Sequence, residues 1–129
     1  MTGNAPLGWQ RRLFAEHFER ADIPPALDLP TGMGKTSVIL IWLLALAWQA
    51  ANGRVRLPRR LVYVVNRRTV VDQATDTAMQ VREKVRAANN DSLVNVRNAL
   101  RDLCIDPNDE ASPLAISTLR GELADNREW

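Results

Sequence analysis

Apolar positions recur at helical spacing in four stretches of this chain and run together in three shorter ones. From Trp9 to Ala21, Leu13, Phe14, Phe18 and Ala21 share one face, while Arg12, Glu16, Glu19 and Arg20 take the other. Pro24-Pro25 should stop that helix. A second helix is expected from about Gly34 to Ala51, carrying the unbroken apolar run Val38 to Trp48 and closed by Asn52-Gly53. The clearest periodicity places Val71, Ala74, Ala78, Val81, Val85 and Ala88 at alternating spacings of three and four. Thr69 with Asp72 makes a capping-box-like start to that helix, and Asn89-Asn90-Asp91 breaks it. A fourth helix is expected from Ser92 to Cys104, with Leu93, Val96, Leu100 and Leu103 on one face.

The shorter runs read as strands. They are Ala26 to Leu29, Leu61-Val62-Tyr63-Val64-Val65, and Leu114-Ala115-Ile116-Ser117. The second is β-branched and aromatic throughout, as a strand buried on both faces should be. Strands alternating with helices predict an α/β fold with a mostly parallel sheet and right-handed crossovers. In such sheets ligands gather at the carboxyl ends of the strands. Residues 1–8 read as a flexible lead-in, 54–60 as a basic connection and 106–113 as an acidic, proline-bounded loop, and the tail from Glu122 to Trp129 has no clear pattern.

Composition narrows the class. At 129 residues, 46% apolar and 25% charged, the chain is globular and at most one domain. A formal net charge of +2 permits a nucleic-acid partner without demanding one. The positive charge is almost all Arg, with Lys only at 35 and 84, and Arg suits bidentate phosphate contact as well as surface ion pairs. Cys104 is the one cysteine, which excludes an internal disulfide and fits a reducing, cytoplasmic setting. With one His and one Cys there is no metal-ligand cluster of those residues. The opening residues are polar and proline-containing, unlike a secretory leader. Val38 to Trp48 falls well short of the ~20 residues that span a bilayer, so no membrane partner is expected.

The chemistry concentrates in Leu29-Pro30-Thr31-Gly32-Met33-Gly34-Lys35-Thr36, between an apolar run and a long helix. A triphosphate crowds about four negative charges together, and backbone N–H groups converging at a helix N-terminus answer them without bulky side chains. Gly32 and Gly34 allow the dihedrals and the close approach this needs. Lys35 is expected to reach the β- and γ-phosphates, and the Thr36 hydroxyl to ligate Mg²⁺, with ATP as the nucleotide. The general phosphate-loop pattern has Gly six residues before the Lys, where this chain has Leu29.

The Pro-Thr-Gly-x-Gly-Lys-Thr form resembles that of superfamily 2 helicases. Over nearly its whole length the chain resembles their first RecA-like domain, a three-layer P-loop NTPase. More narrowly it resembles the helicase–nuclease of type I CRISPR systems. Trp9-Gln10, Leu29 to Thr36, Val64 to Gln73, Ser117 to Gly121 and Ala124 to Trp129 carry that resemblance. It implies nucleotide contacts from Gln10, Pro30, Thr31, Gly32, Met33, Gly34, Lys35 and Thr36, with Gln10 reading adenine through its carboxamide. It also implies that Arg67, Arg68, Thr69 and Gln73, and then Thr118, Arg120 and Gly121, hold the phosphates of a single DNA strand. The implied activity is ATP-driven translocation on single-stranded DNA, beside an RNA-guided CRISPR surveillance complex.

Two parts of that machinery have no counterpart in the sequence. ATP hydrolysis needs a carboxylate motif such as Asp-Glu-x-His, and arginine fingers from a second RecA-like domain. Asp109-Glu110 is the one adjacent acidic pair, and no apolar strand precedes it. A metal-dependent nuclease needs a His-Asp cluster that His17 alone cannot form. The expectation is therefore an amino-terminal fragment, an incomplete first helicase domain at 9–129, with an exposed sheet edge. A helicase or translocase of a restriction or repair system is the alternative, as is a non-enzymatic module that binds single-stranded DNA.

Overall fold

A computed structural model describes residues 5–105, 113–120 and 123–125, with side chains given only up to residue 119 in the last two spans. The chain divides into two compact units, Met1–Leu61 and Val62–Trp129.

The first unit is built around α2 (Val38–Ala51), which is apolar on nearly all sides and buries Ile39, Ile41, Trp42, Leu43, Ala45, Leu46 and Ala47. A helix of that kind is stable only inside other elements. One of them is the leading helical stretch, made of α1 (Gly8–Arg12), a π turn (Leu13–His17) and a 3₁₀ turn (Phe18–Arg20). The regular helix expected over Trp9–Ala21 is thus modified, and for a packing reason. Trp9, Leu13 and Phe18 are the buried residues, spaced by four and then five. The Phe18 amide donates back five residues to the Leu13 carbonyl, and the extra residue in that turn brings Phe18 under Leu13. The stretch ends before the prolines, at Ala21 in the left-handed region with φ 58°.

One polar side chain sits within this apolar packing. Gln49 is 1% exposed, and all four of its hydrogen-bonding positions are filled. Its Nε2 donates to the carbonyls of Phe18 (3.0 Å) and Glu19 (3.1 Å), and its Oε1 accepts from the amides of Arg56 (2.7 Å) and Leu57 (3.0 Å). The connection 54–60 is therefore pinned to α2, with Leu57 buried and the Trp42 indole donating to the Pro58 carbonyl at 3.0 Å. The helix closes as expected, with Gly53 at φ 64° past the cap residue Asn52.

The second unit packs α3 (Arg68–Ala87) against α4 (Asp91–Arg101). Ala74, Val81 and Val85 of the expected α3 stripe are buried, while Val71, Ala78 and Ala88 are half-buried. The expected cap is corrected: Arg67, not Thr69, precedes the first helical residue, and its side chain makes no capping bond. Thr69 lies inside the first turn, where its hydroxyl has no orphan amide to reach. Asn90 breaks α3 and also caps α4, its Oδ1 accepting from the Leu93 amide at 3.0 Å.

The strands depart most from expectation. Among the described residues the one ladder is antiparallel, pairing β1 (Thr118–Arg120) with β2 (Leu123–Asp125), Leu119 opposite Ala124. The strand expected at Leu114–Ser117 thus begins at Thr118, and the tail read as patternless supplies its partner. Neither 26–29 nor 61–65 joins a ladder among the described residues. Val62 and Val64 are 76% and 84% exposed, so the second segment is not buried on both faces. β propensity expresses packing against neighbours, and no described strand lies beside these valines to provide it. Asp109-Glu110 lies outside the described residues. Among those described, no helix is long and apolar enough to cross a membrane, and no His, Cys, Asp and Glu side chains group to hold a metal.

Gln49→Leu would strip the Arg56 and Leu57 amides and the Glu19 carbonyl of a partner, and leave the Phe18 carbonyl only its bond from the Ala21 amide. Each such loss costs about 1–3 kcal/mol, so urea unfolding should register a destabilisation of about 3 kcal/mol or more. A loss below about 1 kcal/mol would mean that water replaces the carboxamide there.

Candidate nucleotide and nucleic-acid site

In the first unit, the segment from Pro30 to Lys35 is exposed and turns sharply between Thr31 and Met33. Both of its glycines occupy the left-handed region, Gly32 at φ 84° and Gly34 at φ 67°. That conformation is costly for residues with a Cβ and aims successive amides the same way. Among the described residues, the amides of Gly32, Met33, Gly34, Lys35 and Thr36 have no acceptor within the chain. A Cβ added at Gly32 would meet no atom within 4 Å, so the space beside the turn is open. Lys35–Ser37 then forms a 3₁₀ turn that leads into α2.

Lys35 makes no ion pair among the described residues, and the half-buried Thr36 hydroxyl makes no hydrogen bond there. Five unengaged amides, a free ammonium and a free hydroxyl at one helix start suit a polyphosphate with its cation. Lys35 and Thr36 would hold the phosphates and Mg²⁺, and the ion would supply charge neutralisation at the phosphate oxygens.

Gln10 joins this loop through a residue that the sequence did not single out. Its Nε2 donates to Ser37 Oγ at 2.8 Å, and Ser37 Oγ donates to the Gly34 carbonyl at 2.7 Å. Its Oε1 accepts from the Leu7 amide at 2.9 Å. The single Ser37 proton goes to Gly34, so Ser37 accepts from Gln10 and the carboxamide orientation is fixed. One Nε2 hydrogen and one Oε1 lone pair are left over. That donor–acceptor pair matches the adenine edge, which offers N6–H and N7. A hydroxyl directly after Lys-Thr is the one signal in the sequence by which Ser37 could have been found.

In the second unit, Arg67, Arg68, Thr69 and Gln73 are exposed around the start of α3, whose first turn lacks a side-chain cap. Arginines beside uncapped helical amides make a place where an anion is favoured. Thr118 and Arg120 lie in β1 itself, not in a loop at a strand's end, and Gly121 lies outside the described residues. The Thr118 hydroxyl is 3.0 Å from that of Thr75, which also donates to the Val71 carbonyl at 2.9 Å. Thr75, only 7% exposed, was not marked in the sequence, where it sits beside Ala74 within the apolar stripe of α3.

A family model described as type III restriction enzyme, res subunit, matches residues 11–121. No curated protein and no solved structure matches the chain.

Gly34→Ala places a Cβ on a left-handed residue, which costs about 1 kcal/mol even where space is open. The melting temperature should fall by a few degrees while far-ultraviolet circular dichroism keeps its helical shape. An unchanged melting temperature would mean that the turn relaxes to negative φ at no cost.

Proposed function

The chain belongs to the type III restriction enzyme res-subunit family, a helicase-type ATP-binding group of superfamily 2, and from that premise we propose that it is the ATP-binding part of an ATP-dependent translocase on single-stranded DNA. The observation that carries this reading is the run of amides from Gly32 to Thr36 without acceptors among the described residues, set by two left-handed glycines at the approach to α2. Lys35 and Thr36 serve the phosphates and Mg²⁺, with Pro30, Thr31 and Met33 completing the loop. Gln10, oriented by Leu7 and Ser37, reads adenine with its remaining donor and acceptor. The fold we propose around them is the three-layer RecA-like α/β domain, with 26–29 and 61–65 contributing strands to a mostly parallel sheet.

The DNA strand is held by Arg67, Arg68, Thr69 and Gln73 at the start of α3, and by Arg120 and Gly121 in the segment that Thr118 opens. The setting we propose is type I CRISPR interference in the cytoplasm, beside an RNA-guided surveillance complex. Its support is the resemblance of Arg67 to Gln73 and Ser117 to Gly121 to the helicase–nuclease of those systems. The family match favours a restriction translocase as the second reading.

Among the described residues no acidic cluster stands ready to hold an ion and an attacking water. The purified chain should therefore bind Mg·ATP and turn it over negligibly. In equilibrium binding with a fluorescent ATP analogue, Lys35→Ala should weaken affinity about tenfold or more, the scale of one charge-assisted contact. Equal binding by Lys35→Ala would remove the nucleotide reading. Robust turnover that Lys35→Ala abolishes would instead show that the chain contains its own carboxylate. Competition by ATP and GTP gives a separate test of Gln10: Gln10→Ala should bring the two affinities together, and an unchanged ratio would leave Gln10 only its bonds to Leu7 and Ser37.

A further inference from the structure

Two of the segments assigned to DNA contact meet within the second unit, and they meet through hydroxyls. Thr75 Oγ1 lies 2.9 Å from the Val71 carbonyl and 3.0 Å from Thr118 Oγ1. A carbonyl only accepts, so the single proton of Thr75 is committed to Val71, a bond back along the helix. The hydrogen between the two hydroxyls must then come from Thr118. This leaves Thr118 Oγ1 with lone pairs and no proton to offer. Phosphate oxygens are acceptors as well, and a hydrogen bond to them requires a donor.

We propose that Thr118 is a positioning residue, not a phosphate contact: its hydroxyl locks β1 onto α3 and so sets the strand bearing Arg120 at a fixed place beside the helix opened by Arg67 and Arg68. Thr75 lies seven residues into α3, about two turns or ~10 Å from its start, within reach of one short strand. Thr75 is buried and Thr118 half-buried, so water has only partial access to the hydroxyl pair, from one side. The inference rests on the DNA-binding reading above for its consequence, but the lock itself is a property of the fold.

The test is a double-mutant cycle on the full chain, read by fluorescence anisotropy with labelled oligothymidine well below the melting temperature. Thr118→Val and Thr75→Val should each weaken binding by a similar factor, about threefold to tenfold, as contacting residues in one network do. The double variant should bind no worse than either single one. Thr118→Ser, which retains a donor, should restore the affinity. None of these neutral changes should alter the slope of log K against log salt.

If Thr118→Val weakens binding equally with or without Thr75→Val, Thr118 touches DNA directly and the proposal is overturned. The DNA reading is checked separately with Arg67→Ala/Arg68→Ala, which should weaken affinity and flatten the salt slope. If that variant binds as the parent does, the DNA reading falls, and thermal unfolding of the same threonine variants decides the lock. Non-additive losses of stability there would uphold it, and additive losses would overturn it.

Discussion

The first unit depends on the saturated carboxamide of Gln49. A helix as apolar as α2 must be enclosed, but the segments that enclose it bring backbone amides and carbonyls that cannot be left dry. Gln49 meets four of these at once, two from the end of the leading helical stretch and two from the connection after α2. Because its own two donors and two acceptors are all used, the side chain adds no unsatisfied group. The same contacts explain why a basic, proline-containing connection is ordered against the helix, with the anchored Leu57 buried and the Trp42–Pro58 bond directly after it.

That enclosure bears on the phosphate loop, because α2 is the continuation of the turn at Lys35–Ser37 and α1 carries Gln10. Packing the leading helical stretch on α2 brings Gln10 within hydrogen-bonding distance of Ser37, and Ser37 in turn holds the Gly34 carbonyl. The π turn belongs to this arrangement. It places Phe18 beneath Leu13, at the end of the stretch that hands its carbonyls to Gln49. A polar chain thus runs from Leu7 to Gly34, set in place by apolar packing further along the same two helices.

Proton accounting plays a similar part in the second unit. Hydroxyl pairs are symmetric on paper, but a carbonyl at one end makes them directional. The bond from Thr75 to Val71 decides that Thr118 donates, and that changes what Thr118 has left to offer a ligand. The buried stripe of α3, which packs against both α4 and β1, carries Thr75 and half-covers this pair.

By itself the sequence determined whatever depends on near neighbours along the chain. The α3 stripe, the Asn52-Gly53 stop, the break at Asn89-Asn90-Asp91 and the left-handed glycines of the phosphate loop follow from local spacing and backbone freedom, and the structure contains them all. The tertiary structure alone decided the partners of Gln49, Ser37 and Thr75. These residues look ordinary in the sequence because each has a partner distant along the chain, Phe18 for Gln49, Gln10 for Ser37 and Thr118 for Thr75. It also decided the strands: pairing at Thr118–Asp125 arises where a partner begins three residues beyond Arg120, while Val62 and Val64, equally suited to a strand, have no described neighbour to pair with. A helix closes its own hydrogen bonds and can be read from one segment, whereas a strand is completed only by another.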